Sequence, residues 1–450
     1  MPWTGRSDRP TSAERVRRWL ATPVAFLASA VAVLCTISVA DVAPALLPLS
    51  LTNERLVGWA GAGVAAACAV AVLALVTMRR TGAGPVLALG AASSVFGLAL
   101  ADNIVDGTQL AIAALTLGVA VGALLTGAAG MALELPSRYR TPTLLAFVVP
   151  LVVGSPLVTW WSLRSGDADS VELTVHPPVG LLAPVTGLIV LWAVISMLIE
   201  APRAHAEPLG WEPAWAMYVG VLVAASVAVM LLGFEPDVDR GWLRSLVMLV
   251  VAVVLAGMAL VLRAVPSGQA AAGFAVVSLA GLAGPACVQL LVIVSDAGDV
   301  RVDWPVLGLL VAGGLVGVAA GWRWHFLASA VAPLVLAAAA AGAWVMPDAA
   351  WPMVAAAGPF MAAFGAALAA GVRLCTVSPM ALRFGVLAVV ASTSLGAVLS
   401  LALGWTLAGD VAASTDTARS AGRVLLGLTF AAAVLAAAYV VTRDRASSLR

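Results

Sequence analysis

Apolar runs of about 20 residues, the length that crosses a bilayer core, recur along the whole chain with short polar links between them. Fourteen are marked off by hydropathy: 20–45, 56–78, 83–101, 108–132, 142–162, 178–199, 213–233, 242–263, 269–295, 305–321, 325–345, 350–373, 381–408 and 419–441. Each predicts a spanning helix, because backbone in hydrocarbon must satisfy its own hydrogen bonds. The longest polar connections, 164–177, 200–212 and 409–418, hold no soluble domain. The remaining links are tight turns, which force neighbouring helices to run antiparallel.

Composition says what solvent this pattern was built for. With 62% hydrophobic and 10% charged residues and a mean hydropathy of +1.04, the chain lies outside the range of soluble domains. Lipid must surround most of it.

Charge then orients the spans. All 24 basic residues are arginine. With the N-terminus cytoplasmic and every span crossing once, 17 arginines fall inside and 7 outside. The inner set includes Arg17, Arg18, Arg79, Arg80, Arg138, Arg140, Arg323 and Arg373. Acids divide the other way, 15 outside and 7 inside, but only the arginine excess bears on orientation. Both termini are therefore expected in the cytoplasm. Thr11 and Glu14 have capping-box spacing, which predicts a short basic helix on the inner surface before the first span. Arg17-Arg18 ahead of an apolar run is the pattern of a twin-arginine signal, but thirteen further spans make it a first helix instead.

Small residues at four-residue spacing mark faces where helices approach closely. Gly118, Gly122, Thr126 and Gly130 form one stripe, and Gly313, Gly317 and Gly321 a second. Gly358, Ala362, Ala366 and Ala370 form a third, and Ser392, Gly396, Ser400 and Gly404 a fourth.

Few residues inside the spans can carry chemistry. Asp41 is the one acid placed within them, and an ionised carboxylate at the bilayer centre costs roughly 2.5–3.5 kcal/mol on insertion scales. Ser38 precedes it by one turn, and Pro44 and Pro48 follow on the same face. Two readings stand: a proton or cation site in a wet cavity, or an acid near the outer surface that caps and hydrates a helix end. Gln289 lies beside Gly284-Pro285, read as a break in its span, and either bonds a substrate or ties two helices together. Ser392, Thr393 and Ser394 either line a cavity or bond back to their own helix. Fifteen tryptophans accompany three tyrosines; Trp19, Trp59, Trp211, Trp242, Trp304, Trp322, Trp324 and Trp351 sit at expected membrane interfaces. Trp192 falls mid-span and Trp160-Trp161 near an outer end, where packing competes with stacking on an aromatic or cationic substrate.

Cys35, Cys68, Cys287 and Cys375 lie in or beside apolar spans, so neither disulfides nor a metal site are expected. The three histidines, His176, His205 and His325, pair with no nucleophile or ligand by spacing. No catalytic constellation, phosphate loop or nucleic-acid motif is present, so the expectation is a protein that is not an enzyme and carries no cofactor.

The span count, with three local segments, resembles the fourteen-helix drug:proton antiporter branch of the major facilitator superfamily. Residues 35–48 look like its first helix, an acid in an apolar run followed by A-L-P. Residues 78–90, MRRTGAGPVLALG, look like its basic loop between the second and third helices. Residues 373–405, with Arg383 and Gly385 leading into hydroxyl-rich sequence, look like its eleventh-helix stretch. The resemblance implies two six-helix halves, 20–199 and 269–441, with two inserted helices at 213–263, and cytoplasmic segments at 1–19 and 442–450. It implies a secondary transporter exporting hydrophobic or amphipathic compounds by alternating access, with Asp41 as the proton or cation site. Ser38, Gln289, Thr393, Trp192 and Trp160 would line the cavity, and Arg79, Arg80, Gly82 and Arg323 would form a cytoplasmic gate.

The chain also departs from that pattern. Arg79 stands where the family loop carries an acid, Ala83 and Gly84 replace a basic pair, and Ala114 sits near the place of a buried arginine. Thr159, Trp160 and Trp161 follow Ser155-Pro156 where the family has glycines. These departures suit an alternative: a transporter-like subunit that does not pump, serving as a scaffold with an envelope-assembly partner or as a lipid-linked flippase. Either way the expected setting is a bacterial plasma membrane, with membrane lipids as neighbours and no nucleic acid.

Overall fold

A computed structural model describes residues 12–45, 53–101, 107–165, 179–199, 268–296, 304–345 and 350–377, together with parts of 381–396 and 426–440. Among these residues the chain is helical throughout, with no strand. Six helices come from the first half of the sequence: α1 (Ser12–Ala45), α2 (Asn53–Thr81), α3 (Ala83–Ala101), α4 (Gly107–Glu134), α5 (Ser137–Ser165) and α6 (Val179–Leu198). Four more follow: α7 (Gly268–Asp296), α8 (Trp304–Arg323), α9 (His325–Val345) and α10 (Ala350–Cys375). Seven helices among the described residues are long and apolar enough to cross a membrane. The inserted pair expected at 213–263 lies outside the described residues.

These helices coincide with the first six and the ninth to twelfth apolar runs, and where their ends differ there is a physical reason. The first helix starts eight residues before the apolar run, so the separate surface helix expected ahead of it is instead its opening turns. An i,i+4 ion pair from Glu14 to Arg18 supports those turns, and Arg17 is fastened to α4. The step Gly284-Pro285 does not break α7, which runs on to Asp296. Likewise α5 runs through Pro142, Pro150 and Pro156. Prolines are tolerated in spanning helices because neighbouring helices and hydroxyls re-satisfy the freed carbonyls.

One packing plan is used twice. In the first set α4 is the hub, packed on α1, α2 and α3; in the second α10 is the hub, packed on α7, α8 and α9. The small-residue stripes explain how. A methyl added at Gly118 would fall on the carbonyl oxygen of Gly63, and one at Gly122 on that of Ala67, so α2 and α4 touch backbone to backbone. Between α8 and α10 the same happens: Gly313, Gly317 and Gly321 rest against the carbonyls of Gly358, Ala362 and Ala366. Close approach of this kind replaces the hydrophobic drive that lipid cannot supply.

The two sets meet through α5, which contacts α7, α8 and α10. Here a Cβ at Gly314 would come within 2.8 Å of Val152 Cγ1, so a valine of α5 seats on a glycine of α8. One continuous apolar core joins both sets, with Phe147, Trp192, Phe274, Phe360 and Phe364 among its largest fully buried side chains.

Candidate functional site

Two arginine-centred clusters interrupt the apolar interior. The first is built on Arg17, in the second turn of α1 and only 5% exposed. Its Nη2 donates to Glu134 Oε2 at 2.5 Å. Glu134 closes α4, and its other oxygen, Oε1, accepts the backbone N–H of Ala83 at 2.6 Å. Ala83 is the first residue of α3, so one carboxylate both neutralises Arg17 and satisfies a free donor at a helix N-terminus. A buried charge is tolerated only with pairing of this kind.

Gly82 makes the geometry available. Its φ of +77° turns the chain between α2 and α3, in the left-handed region that suits glycine. Its N–H donates to the Met78 carbonyl at 2.9 Å, closing α2 just before Glu134 caps α3. The acid that the α2–α3 loop lacks in its own sequence is thus supplied by α4.

Trp192 of α6 completes the cluster. Its Nε1 donates to the Arg17 carbonyl at 3.0 Å, and its ring centroid lies 5.8 Å from the Arg17 guanidinium. Four helices, α1, α3, α4 and α6, are therefore tied at one point. Trp192→Phe keeps the aromatic bulk and removes the N–H. It should cost about 1 kcal/mol, the net worth of one hydrogen bond, read as a lowered midpoint of thermal unfolding in detergent.

The second cluster lies where α8 passes into α9. The Trp324 N–H donates to the Ala320 carbonyl at 2.8 Å, and Ala328 donates to the Trp324 carbonyl at 2.8 Å, so a single residue joins the helices. Arg373, two residues from the end of α10, places its guanidinium 5.3 Å from the centroid of Trp322. This is cation–π distance. His325 stands beside Phe326, ring centroids 4.3 Å apart.

The residues singled out from the sequence fall in different places. Asp41 and Ser38 lie toward the C-terminal end of α1, Gln289 in the later part of α7, Trp160 near the end of α5 and Arg79 near the end of α2. The side chains of these five are outside the described residues. Arg80 and Arg323 are exposed at the ends of α2 and α8. The Thr393 hydroxyl bonds back to the Val389 carbonyl at 2.6 Å, and that of Ser392 to Ala388. Trp19, Trp304 and Trp324 are exposed near helix ends, as an interfacial belt requires, whereas Trp322 turns inward onto Arg373.

Hydropathy missed Arg17 and Glu134 because it assigned both to inner polar segments. The available signal was the position of Glu134, two residues past an apolar run. All four cysteines are buried, and Cys287 Sγ sits 2.8 Å from Met361 Sδ. Among the described residues no three His, Cys, Asp or Glu side chains gather as a metal site.

No family model matches the chain, and no curated protein matches it. Solved structures do. A major facilitator superfamily proton:xylose symporter, XylE, bound to 6-bromo-6-deoxy-D-glucose, is 13% identical with a TM-score of 0.56. The match covers 93% of this chain and 95% of that one. The POT family transporter PepTSo is 12% identical with a TM-score of 0.55, covering 94% and 98%. The xylose transporter XylE from E. coli in a partially occluded inward-open conformation gives 13%, 0.55, 93% and 97%. At these identities the likeness is one of fold. The chain is a multi-helix, membrane-spanning protein with the fold of the major facilitator transporters.

Proposed function

We propose that this chain is a secondary membrane transporter of fourteen spans with both termini cytoplasmic, in a bacterial plasma membrane. In this reading it exports hydrophobic or amphipathic compounds by alternating access, without enzymatic chemistry, and Asp41 couples export to protons. The observation that carries it is the repeated hub architecture, α4 in one set and α10 in the other, joined through α5. Two such sets are what rocking about a central site requires. The whole-length likeness in fold to a proton:xylose symporter and to a POT family transporter supports the same reading. Export and the antiporter branch rest on the resemblance of residues 35–48, 78–90 and 373–405. Asp41 is favoured as the coupling group because an acid on a spanning helix is retained at a cost.

The test is export of amphipathic dyes from vesicles containing wild type or Asp41→Asn, with and without an imposed proton gradient. Gradient-driven export should be lost in Asp41→Asn while exchange of dye across equal gradients persists. Equal export by both proteins, indifferent to the gradient, would end the coupling proposal. No export by either, with a stoichiometric protein partner retained through purification, would favour the scaffold instead.

A further inference from the structure

The seams inside each set and the contact between the sets are built differently. Within the sets peptide rests on peptide, Gly118 against Gly63 and Gly317 against Ala362. Backbone so closely set cannot shift without parting, so each set moves as one body. Between the sets a side chain meets a glycine instead. A Cβ at Gly314 of α8 would lie 2.8 Å from Val152 Cγ1 and 3.7 Å from Val153 Cγ1 of α5. Apolar contact has no preferred direction, so the angle between α5 and α8 can change while the valine keeps its seat.

The depth of the contact matters as much as its chemistry. Val152 lies at the middle of α5 and Gly314 at the middle of α8. Two bodies that touch halfway along their length can open at one end as they close at the other. Both sides of the contact are backed by further close seats. The Gly314 carbonyl rests against Gly365 of α10, and Val33 of α1 seats on Gly154 of α5, its Cγ1 3.0 Å from a Cβ there. In α5 the contact is also bracketed by Pro150 and Pro156. Each proline removes a helical hydrogen bond, so α5 bends most easily just before and just after Val152.

We propose that Val152 seated on Gly314 is the fulcrum about which the two sets rock, a contact kept in both states and not a gate that breaks in one. The inference rests on the reading of this chain as an alternating-access transporter and names where its motion is centred.

The test joins the fulcrum covalently and asks whether the sets still move. Val152→Cys with Gly314→Cys brings two thiols within disulfide reach. Spin labels on Ser137→Cys and Val377→Cys, exposed positions in opposite sets on the arginine-rich side, report the separation of the sets by double electron–electron resonance in nanodiscs. The four native cysteines are buried and do not compete for label, which is attached before the disulfide is formed. The reduced protein should show two separations, and the crosslinked protein the same two in the same ratio. If Gly314→Cys does not fold, Val152→Ala decides. A contact common to both states should, when trimmed, lower the midpoint of thermal unfolding and leave the ratio of separations unchanged. Two separations that merge into one on crosslinking, a folded pair that does not crosslink, or a changed ratio in Val152→Ala would overturn the fulcrum and leave the transporter reading standing. A single separation in every protein, with and without amphipathic dye, would overturn both.

Discussion

Gly317→Leu is expected to abolish the folded protein, seen as loss of the monodisperse peak when detergent-solubilised chain is passed over a sizing column. A side chain there would start on the carbonyl oxygen of Ala362, and a peptide group cannot swing aside as a side chain can. Overpacking that side chains can absorb costs about 1–3 kcal/mol; here α8 must part from α10, so the cost should exceed that range. Gly118→Leu on α4 meets the Gly63 carbonyl of α2 and should fail in the same way. Gly308→Ala is the contrast. Nothing lies within 4 Å of a Cβ at Gly308, and alanine favours a helix over glycine by about 1 kcal/mol, so this variant should be neutral or slightly stabilised. If Gly317→Leu and Gly308→Ala purify equally well, the backbone seam between α8 and α10 is not what holds that set together.

The second large effect is at Glu134. Glu134→Ala leaves the Arg17 guanidinium enclosed and unpaired, a loss of about 3–5 kcal/mol when one partner of a buried ion pair is removed. It also strips the acceptor from the Ala83 N–H. Glu134→Gln keeps an oxygen for Ala83 and removes only the charge, so it should fall between wild type and Glu134→Ala. Arg17→Met combined with Glu134→Leu should recover much of the loss, since no charge is then stranded. Thermal unfolding in detergent orders the four proteins. A double variant no better than Glu134→Ala would show that the pair matters for something other than mutual neutralisation.

How far the sequence could be read depended on whether a feature is encoded near itself. Gly118 and Gly122 sit four apart on one helix, so their shared face was visible without a partner, and the structure seats them on Gly63 and Ala67 of α2. Gly317 and Gly321 were legible for the same reason. The run of apolar residues likewise located α8, from Trp304 to Arg323, within two residues at either end.

Glu134 was not legible. The apolar run of α4 stops two residues short of Glu134, and the arginine that cancels its charge lies 117 positions earlier. The early start of α1 was hidden by the same pairing. Trp192 was placed correctly on a helix, but its hydrogen bond goes to a main-chain carbonyl, which carries no residue signature. The partners of Trp322 and Arg373 come from two helices separated by some fifty residues, and spacing rules do not reach across that gap. Asp41 stays where the sequence put it, on the first helix, with its side chain outside the described residues.

The seams of α2 with α4 and α8 with α10 also bear on how this architecture endures. Where peptide rests on peptide, the sequence need only refrain from placing bulk at every fourth position, and many dissimilar sequences satisfy so loose a demand. A fold fastened in this way leaves most of its letters free to drift. That is how a chain only 12–13% identical to the xylose and POT transporters can trace their course over more than nine-tenths of its length.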